Sequence, residues 1–517
     1  MAIVKTGLLR SGMIVGVMTM FSRILGMVRD IIIAALLGAS GGADAFFVAF
    51  RIPNLMRRLF AEGAFNQAFV PVLSEYATRD DKDETRTLLN AVAGSLAIVL
   101  SIVTVVAILV SPWLVWLFAP GFSDTPGKLE LTADMLKITF PYLLFISLTA
   151  YVGSILNSWG RFAVPALTPI FLNLTMIMAA LWLAPRLSVP GMALAWGVLA
   201  AGVIQLGFQL PFVAKLGLLP RPKPDFRHPG VRRILKLMGP ALFGVSVAQI
   251  NLLLNTMLAS LLTAGSVSWL YYSDRLTELP LGIFGVAIGT VILPALSRRH
   301  AQQDHAHFSR MLDWGLRTVL LVSLPAALAI FLLAEPLLIT LFHYGRMTDY
   351  DVVMTARSLR AMAFGIIAFM LIKVLAPGFY ARQNTKAPVR IGMIAMAANM
   401  VFNLLLVTLT SLAHAGLAMA TVLAAYLNAL LLARGLKREG LLVWQPGWGR
   451  YLLQVGSGCA LLSIGLILFT PEWHQWLEWH VWHRMLWMSV IVVMAIIGYL
   501  AWLVMTGMRP QHFRMQG

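Results

Sequence analysis

The sequence predicts an all-α polytopic membrane protein of about fourteen transmembrane helices, and three observations support this fold class. Of the 517 residues, 59% are hydrophobic and only 12% are charged, and the mean hydropathy is +0.80. This is more apolar side chain than a water-soluble core of this length could bury. Apolar segments of about 20 residues, the length that crosses a bilayer, recur along the chain. Positively charged residues concentrate in every second connection between these segments.

The individual helices are predicted from the positions of charged residues, Pro and Gly, which interrupt or end apolar helices. Their expected spans are 11–37, 43–72, 88–117, 131–157, 163–184, 189–214, 234–262, 267–296, 312–341, 352–378, 388–410, 413–435, 449–470 and 483–507. The first segment has a basic start but no small-residue cleavage pattern, so we expect it to be retained as a helix. An even number of helices predicts that both termini lie on the same side of the membrane.

The connections indicate the orientation, because Lys and Arg are retained on the cytoplasmic side. The connections predicted to be cytoplasmic contain Arg79, Lys82, Arg86, Arg161, Arg221, Lys223, Arg227, Arg232, Arg233, Arg298, Arg299, Arg382, Lys386, Arg390, Arg434, Lys437 and Arg438. The alternate connections contain only Lys128, Arg186, Arg346 and Arg484. Both termini are therefore predicted to be cytoplasmic.

Composition and motifs exclude several classes of function. The net charge of +18 lies in short connections between apolar segments, which argues against a nucleic-acid partner. The single cysteine, Cys459, excludes an intrachain disulfide. No nucleotide-binding loop, HExxH motif or nucleophile elbow is present, so we expect neither an enzyme nor a bound cofactor or metal.

Internal similarity indicates a duplication. The similar segments VPVLSEYA and LPALSRRHA align Pro71 with Pro294, SWGRFAVP and RQNTKAPV align Pro165 with Pro388, and both pairs are separated by 223 residues. We therefore predict two six-helix lobes related by a parallel pseudo-two-fold repeat, followed by two additional helices. The expected domains are an N-terminal lobe at 1–215, a basic Pro-rich cytoplasmic linker at 216–233, a C-terminal lobe at 234–437 and a final helix pair at 438–517. In such folds the substrate site lies between the lobes.

The second predicted helix carries a polar stripe. Its members recur at steps of three, four and seven residues, which places them on one helical face: Asp44, Arg51, Asn54, Arg58, Glu62 and Asn66. Pro53 removes a backbone donor within this helix and predicts a bend, as in helices that line cavities. The stripe therefore predicts a face that contacts water or a polar ligand.

Other ionisable residues lie within the first and eighth predicted helices. Seven-residue spacing places Ser22 with Arg29, Arg23 with Asp30, and Ser268 with Arg275 on common faces. Asp274 or Arg275 can reach Glu278 along the eighth helix. Charged side chains are costly inside a bilayer unless they face protein, water or an anionic partner. We therefore expect both lobes to supply cations to a common substrate cavity.

Two interpretations of these residues remain open. They could form ion pairs that only hold helices together. However, the arginines outnumber the nearby carboxylates, and the guanidinium group suits bidentate binding of phosphate and carboxylate oxygens. This favours an anionic substrate. Trp473, Trp476, Trp479 and Trp482 are predicted to form an interfacial aromatic belt.

Four segments carry a family resemblance. They read MFSRILGMVRD, ADAFFVAFRIPNLMRRLFAEGAFNQAFVPVLSEY, SVSWLYYSDRLTELPLGIFGVAIGTVILPALS and KVLAPGFYARQNTKAPV. Along almost its whole length the chain resembles the MurJ (MviN) lipid II flippases of the MOP exporter superfamily. The resemblance implies transfer of undecaprenyl-diphosphate-linked disaccharide pentapeptide, lipid II, from the cytoplasmic to the periplasmic leaflet of the bacterial inner membrane. The implied partners are lipid II, membrane lipids and the cell-wall synthesis machinery.

The resemblance also implies roles for particular residues. The functional arginines of the family correspond to Arg23, Arg29, Arg51, Arg57 or Arg58, and Arg275, and the supporting acidic residues to Asp44, Glu62, Asp274 and Glu278. Ser22, Asp30 and Ser268 join the cavity set by spacing. The last two helices imply a groove for the isoprenoid tail. The acidic sodium ligand of some relatives is missing here, so coupling to an ion or to the membrane potential stays open.

Three rivals differ in class or cargo. A MOP-type drug or cation antiporter requires an excess of carboxylates in its cavity, the reverse of this chain. A flippase for another diphosphate-linked oligosaccharide, such as O-antigen or teichoic acid units, is not separated by charge. A membrane scaffold without transport activity predicts tolerance of Arg23→Ala and Arg275→Ala.

Overall fold

The computed structural model describes residues 2–59, 64–78 and 81–508, and it contains no strand within these ranges. Side chains are described within them except at 2–14, 240, 241, 243–248, 286 and 290. The chain divides into two compact units, Met1–Ser268 and Trp269–Gly517. The predicted all-helical membrane fold is thereby confirmed.

Unit 1 contains the helices of the first half of the chain. They are α1 (Ala2–Leu37), α2 (Gly41–Arg57), α3 (Phe65–Thr78), α4 (Lys82–Leu109), α5 (Ser111–Phe118), α6 (Lys128–Thr139), α7 (Tyr142–Ser158), α8 (Ala163–Met178), α9 (Pro190–Lys215) and α10 (Pro229–Ser260). Stacked Phe65 and Phe69, with Tyr151 against them, belong to its apolar core. The Tyr151 hydroxyl donates to the carbonyl of Leu89 at 2.8 Å, which satisfies its polar atom inside the core.

Unit 2 begins within the next helix. Its elements are α11 (Ser266–Pro280), α12 (Val286–Ala301), α13 (His305–Leu332), α14 (Ala334–Phe342), α15 (Asp349–Ala363), α16 (Gly365–Tyr380), α17 (Lys386–Leu409), α18 (His414–Arg438), α19 (Trp448–Phe469), α20 (Trp473–Glu478) and α21 (Val481–Met505). The final pair is fixed to α13. Trp448 Nε1 donates to Asp313 Oδ1 at 2.7 Å, and the Tyr499 hydroxyl donates to the carbonyl of Leu321 at 2.9 Å.

Among the described residues, 11 helices or continuous helix pairs are long and apolar enough to cross a membrane. They match 11 of the predicted spans. The other three predicted spans coincide with α1, with α2 and α3 together, and with α10.

Several spans that were predicted as single helices are divided, and this part of the prediction was wrong. The span 88–117 is α4 followed by α5, and 131–157 is α6 followed by α7. The breaks lie beside Pro112 and Pro141. Proline lacks an amide donor and its ring clashes with the preceding turn, so the ladder of hydrogen bonds is interrupted there. The predicted spans near 312–341 and 352–378 divide in the same way, into α13 with α14 and α15 with α16.

The helix boundaries repeat along the chain with nearly the same offset as the proline pairs. The end of α4 at Leu109 answers the end of α13 at Leu332, 223 residues later. The starts of α9 and α18, at Pro190 and His414, differ by 224 residues. The two halves therefore share an order of long and divided helices, as a duplication predicts.

The segment between α9 and α10 is non-helical, as predicted, and it is fixed along α4. The backbone amide of Arg221 donates to Asn90 Oδ1 at 2.6 Å, and that of Lys223 donates to the Asn90 carbonyl at 3.1 Å. The amide of Asp225 donates to Ser95 Oγ at 3.3 Å. The linker therefore belongs to unit 1, as does α10, which the sequence-based division assigns to the second lobe.

The aromatic cluster near the final helices differs from the predicted interfacial belt. Trp482 is exposed, but Trp476 is fully buried, lies tilted against Trp479 with 5.2 Å between ring centroids, and donates from Nε1 to the carbonyl of Pro471 at 3.2 Å. Trp476 therefore packs the short helix α20 instead of facing the membrane interface.

Candidate substrate-binding site

Arg29 lies in a buried polar network between α1 and α8. Its Nη2 and Nε atoms contact Asp30 Oδ1 at 2.6 and 2.9 Å, and its Nη1 donates to Asn173 Oδ1 at 3.0 Å. The Asn173 amide then donates to the carbonyl of Ser22 at 2.9 Å. Ser22 and Arg29 therefore join one network, as their spacing predicts. The seven-residue spacing suggests that Asp30 shares a face with Arg23, but Asp30 pairs with Arg29. The Arg29 side chain is long enough to fold back onto the carboxylate of the next residue.

Arg23, in contrast, is exposed on α1. Within the described part of the chain it forms no hydrogen bond or ion pair. An exposed guanidinium in an apolar helix needs water or an anionic partner, since its cost in hydrocarbon is several kcal/mol. Arg23 is thus available to a ligand in a way that Arg29 is not.

Arg57 lines an open cavity of about 280 Å³ inside unit 1. Residues of α2, α3, α7, α8 and α9 form its wall, and the polar ones include Asn66, Thr168, Gln205 and Gln209. Arg57 Nε donates to Asn54 Oδ1 at 2.9 Å, which orients the guanidinium from within its own helix. The structure therefore places Arg57 at a cavity.

The neighbouring residues of the predicted stripe separate. Arg58 follows α2 and is exposed. Arg51 is half-buried and donates to Thr256 Oγ1 on α10 at 2.6 Å. Glu62 lies outside the described residues. The stripe is therefore not one continuous wet face, because the regular α-helix ends at Arg57 and the register changes there.

Asp44 is a buried anchor at the start of α2. It accepts hydrogen bonds from Lys128 Nζ at 3.0 Å, from the Gly265 amide at 2.8 Å, and from the amide and hydroxyl of Ser268 at 3.0 and 2.7 Å. Lys128 also lies over the Phe122 ring, 4.1 Å from its centroid. Asp44 thus holds the first turn of α11 and compensates a buried lysine. The expectation that it holds cavity arginines was wrong, because four donors already surround its carboxylate.

In unit 2, Arg275 projects from α11 into a small cluster. Its Nη1 contacts Glu278 Oε2 at 3.1 Å, its Nη2 donates to the Tyr271 hydroxyl at 3.0 Å, and its guanidinium lies 4.8 Å from the Tyr271 ring centroid. Asp274 is half-buried beside it, whereas Ser268 is occupied by Asp44. Tyr271 and Glu278 hold Arg275 in one orientation, and the Glu278 side chain is exposed.

The structure brings together part of the predicted set. Arg29 bonds to Asn173, and the cavity of Arg57 includes Thr168 and Leu172, so both arginines approach the same stretch of α8. Sequence reasoning missed Lys128, Asn173, Gln205, Gln209 and Tyr271. The four-residue spacing of Gln205 and Gln209 in an apolar helix was a usable signal. Nothing local marked Lys128, whose partner is 84 residues away.

Comparison with known proteins shows to which family the chain belongs. A family model described as lipid II flippase MurJ matches residues 33–501. A probable lipid II flippase MurJ of Vibrio cholerae is 47% identical over 520 residues, covering 99% of this chain and 98% of its own. The chain belongs to the lipid II flippase MurJ family. Another MurJ relative, the probable lipid II flippase of Haemophilus influenzae, is 46% identical over 508 residues, covering 96% of this chain and 99% of its own.

Solved structures agree with this assignment. A lipid II flippase MurJ in an inward closed conformation has a TM-score of 0.79 at 25% identity, covering 95% of this chain and 98% of its own. An inward-facing multidrug transporter of the MATE family has a TM-score of 0.66 at 15% identity, covering 83% and 98%. This second likeness shows that the chain shares its fold with that transporter.

Proposed function

We propose that this chain transfers lipid II from the cytoplasmic to the periplasmic leaflet by alternating access. The observation that carries the proposal is the 46 to 47% identity to MurJ relatives over 96 to 99% of the chain. Identity of this extent along almost the whole chain supports a shared fold and a shared activity. An antiporter for drugs or cations, or a flippase for another oligosaccharide, would not account for this identity to MurJ relatives.

The chemistry of the arginines supports an anionic head group. A diphosphate is held best by guanidinium groups, which offer parallel donors to phosphate oxygens. We assign this role to Arg23, Arg57 and Arg275, with Arg51 and Arg58 as further cations along the path. Neutralisation of the diphosphate lowers the cost of moving it away from bulk water. Opening to one side of the membrane at a time then requires only that the ligand bind the two states differently.

Arg29 and Asp44 have supporting roles in this proposal. Asp30 neutralises the charge of Arg29. Arg29 therefore acts by holding α1 to α8 through Asn173 more than by attracting the anion. Asp44 fixes the start of α11, the helix that carries Arg275. Loss of either residue is therefore expected to lower transport through the fold, not through direct loss of ligand contact.

We further propose the cellular setting. The protein lies in the bacterial cytoplasmic membrane with both termini in the cytoplasm, acts as a transporter without enzymatic activity, and binds lipid II and membrane lipids. The enzymes of cell-wall synthesis receive its product. Transport is coupled to an ion gradient or to the membrane potential, without a resident cofactor.

The test is transport by the purified full-length chain in vesicles. Fluorescent lipid II should become accessible on the opposite leaflet, and Arg23→Ala should reduce the rate about 10-fold or more without changing the unfolding temperature. The matched control is Arg310→Ala, which removes an exposed arginine near the start of α13. Equal transport by both variants contradicts the assigned role of Arg23.

Depletion of the protein in cells separates the remaining rivals. The proposal predicts that lipid II accumulates in the cytoplasmic leaflet. Normal lipid II with altered surface polysaccharide would instead support a flippase for another diphosphate-linked oligosaccharide.

A further inference from the structure

Two buried amide oxygens in the cavity of unit 1 have no hydrogen-bond donor. Gln205 and Gln209 lie one turn apart on α9, and each side chain is 1% exposed. Their Oε1 atoms have no partner within the described chain. Both residues line the same cavity as Arg57.

The orientation of these amides is fixed by Thr168 on α8. Gln205 Nε2 donates to the Thr168 carbonyl at 3.0 Å, and Gln209 Nε2 donates to the Thr168 hydroxyl at 2.7 Å. The carbonyl accepts only, and the hydroxyl already donates to the Val164 carbonyl at 3.2 Å. The nitrogen atoms therefore occupy the α8 side, and the two oxygen atoms are left as unused acceptors.

Unused acceptors select the chemistry of a ligand. Phosphate and carboxylate groups have no hydrogen to donate, so they would not satisfy the glutamine oxygens. An ammonium group could donate, but the Arg57 guanidinium lines the same cavity and repels a second cation. Hydroxyl and amide N–H groups of a sugar donate without charge. A sugar attached to a phosphate satisfies both the glutamine oxygens and the arginine.

The size of the cavity limits how much of such a ligand can enter. Its volume is about 280 Å³, at the lower end of ligand pockets, which span about 300 to 1,000 Å³. This space suits one sugar ring, and the second sugar and the peptide would extend out through the open side of the cavity. The oxygen atoms are nearly closed to water, and rotation of neighbouring cavity side chains, of the kind common on ligand binding, would open them while Thr168 holds the two amides.

We propose that this cavity binds the sugar ring that is joined directly to the diphosphate of the transported lipid, with Gln205 and Gln209 as acceptors for its hydroxyl or N-acetyl groups. The inference rests on the proposed function and deepens it. It assigns recognition of the sugar to unit 1, beside the phosphate contact of Arg57.

The experiment compares two ligands that differ in the sugar. Binding of lipid II and of undecaprenyl diphosphate is measured with the purified full-length chain in lipid nanodiscs. Gln209→Met and Gln205→Met keep the side-chain length but remove the acceptor. Each should weaken lipid II binding about 3- to 10-fold, the effect of one hydrogen bond, and leave undecaprenyl diphosphate binding unchanged.

The matched control is Gln302→Met. Gln302 also uses its side-chain amide, accepting at Oε1 from Arg299 Nη1 at 3.4 Å, but it follows α12 and lines no part of this cavity. This control should bind both ligands normally. A second cavity variant is Gly153→Ala, whose added methyl would lie 3.5 Å from Gln209 Oε1 and reduce the space for the ring without a clash.

The outcomes are distinguishable. Lipid II binding that is unchanged in the glutamine variants, or weakened equally for both ligands, overturns the sugar site while the proposed function stands. A wild-type chain that binds neither lipid contradicts the proposed function itself, and the sugar site with it.

Discussion

An arginine inside a membrane helix can serve its own fold or a ligand, and α1 contains one of each kind. Arg29 is buried and neutralised by Asp30, whereas Arg23 is exposed without an ion pair among the described residues. Both have the same spacing from polar neighbours in the sequence. Substitutions at the two positions should therefore differ in whether stability or transport changes first.

Arg29→Lys tests the structural role. The lysine keeps the charge, but one ammonium cannot reproduce the fork that joins Asp30 and Asn173. We expect a loss of about 1 to 3 kcal/mol in the free energy of unfolding, typical of hydrogen bonds to a charged group. Arg23→Lys is the control and should leave unfolding unchanged. Equal stability of both variants would show that the network does not hold α1 to α8.

Asp44 and Lys128 offer a second prediction for single residues. Removing one partner of a buried ion pair leaves an uncompensated charge, so Asp44→Asn or Lys128→Met should each cost about 3 to 5 kcal/mol. The double variant should cost less than the two single losses together, because no lone charge remains. The measurement is denaturant unfolding in detergent.

The exposed pair Lys137–Asp134, at 2.8 Å, provides the control for this cycle. Lys137→Met should cost less than about 1 kcal/mol. Additive losses for Asp44 and Lys128 would contradict a buried, coupled pair.

At the scale of elements, the sequence predicted which segments are helical better than where helices end. Hydropathy marks apolar length, and the spans of α17, α18 and α19 agree closely with the prediction. It does not mark the breaks between α4 and α5 or between α13 and α14, because apolar residues continue across them. These breaks lie near prolines, which interrupt the helical hydrogen bonds. Whether a proline ends a helix or only bends it depends on the packing around it.

Docking of the linker on α4 gives a prediction for an element. A Cβ on Gly94 would lie 2.3 Å from the backbone nitrogen of Pro224, so Gly94→Ala must displace the linker. The amides of Arg221, Lys223 and Asp225 should then exchange hydrogen faster, measured by mass spectrometry. Gly207→Ala on α9 is the control, since its Cβ meets nothing within 4 Å. Unchanged exchange in Gly94→Ala would mean that the linker is not held there.

At the scale of the whole molecule, the duplication and the fold class were predictable from the sequence, whereas the candidate site was predictable only in part. Repeated prolines and alternating charge are visible in one dimension. Asp44 pairs with Lys128, and Arg57 and Gln209 line one cavity, although each pair is far apart in the sequence. Residue type alone does not indicate these partners. Long-range contacts of this kind require the packed helices.

The final helix pair provides a prediction for the whole chain. Truncation after residue 444 removes α19, α20 and α21, together with the bonds from Trp448 and Tyr499 to α13. If this pair accommodates the isoprenoid tail, the truncated chain should still bind a short-chain analogue of lipid II but transport the undecaprenyl form poorly. Similar losses for both chain lengths would indicate a role in folding instead. Vesicle transport with the two lipids decides between these outcomes.

The four contacts made by Asp44 carry a consequence for how α11 can move. Three of them come from Gly265 and Ser268 at the start of α11, whereas the fourth comes from Lys128 on α6. Because the three bonds share one carboxylate, separating the turn from Asp44 removes them together, and the loss of all three should cost more than the loss of a single bond. We therefore expect the start of α11 to occupy either the bonded position or a separated one, with few intermediate positions.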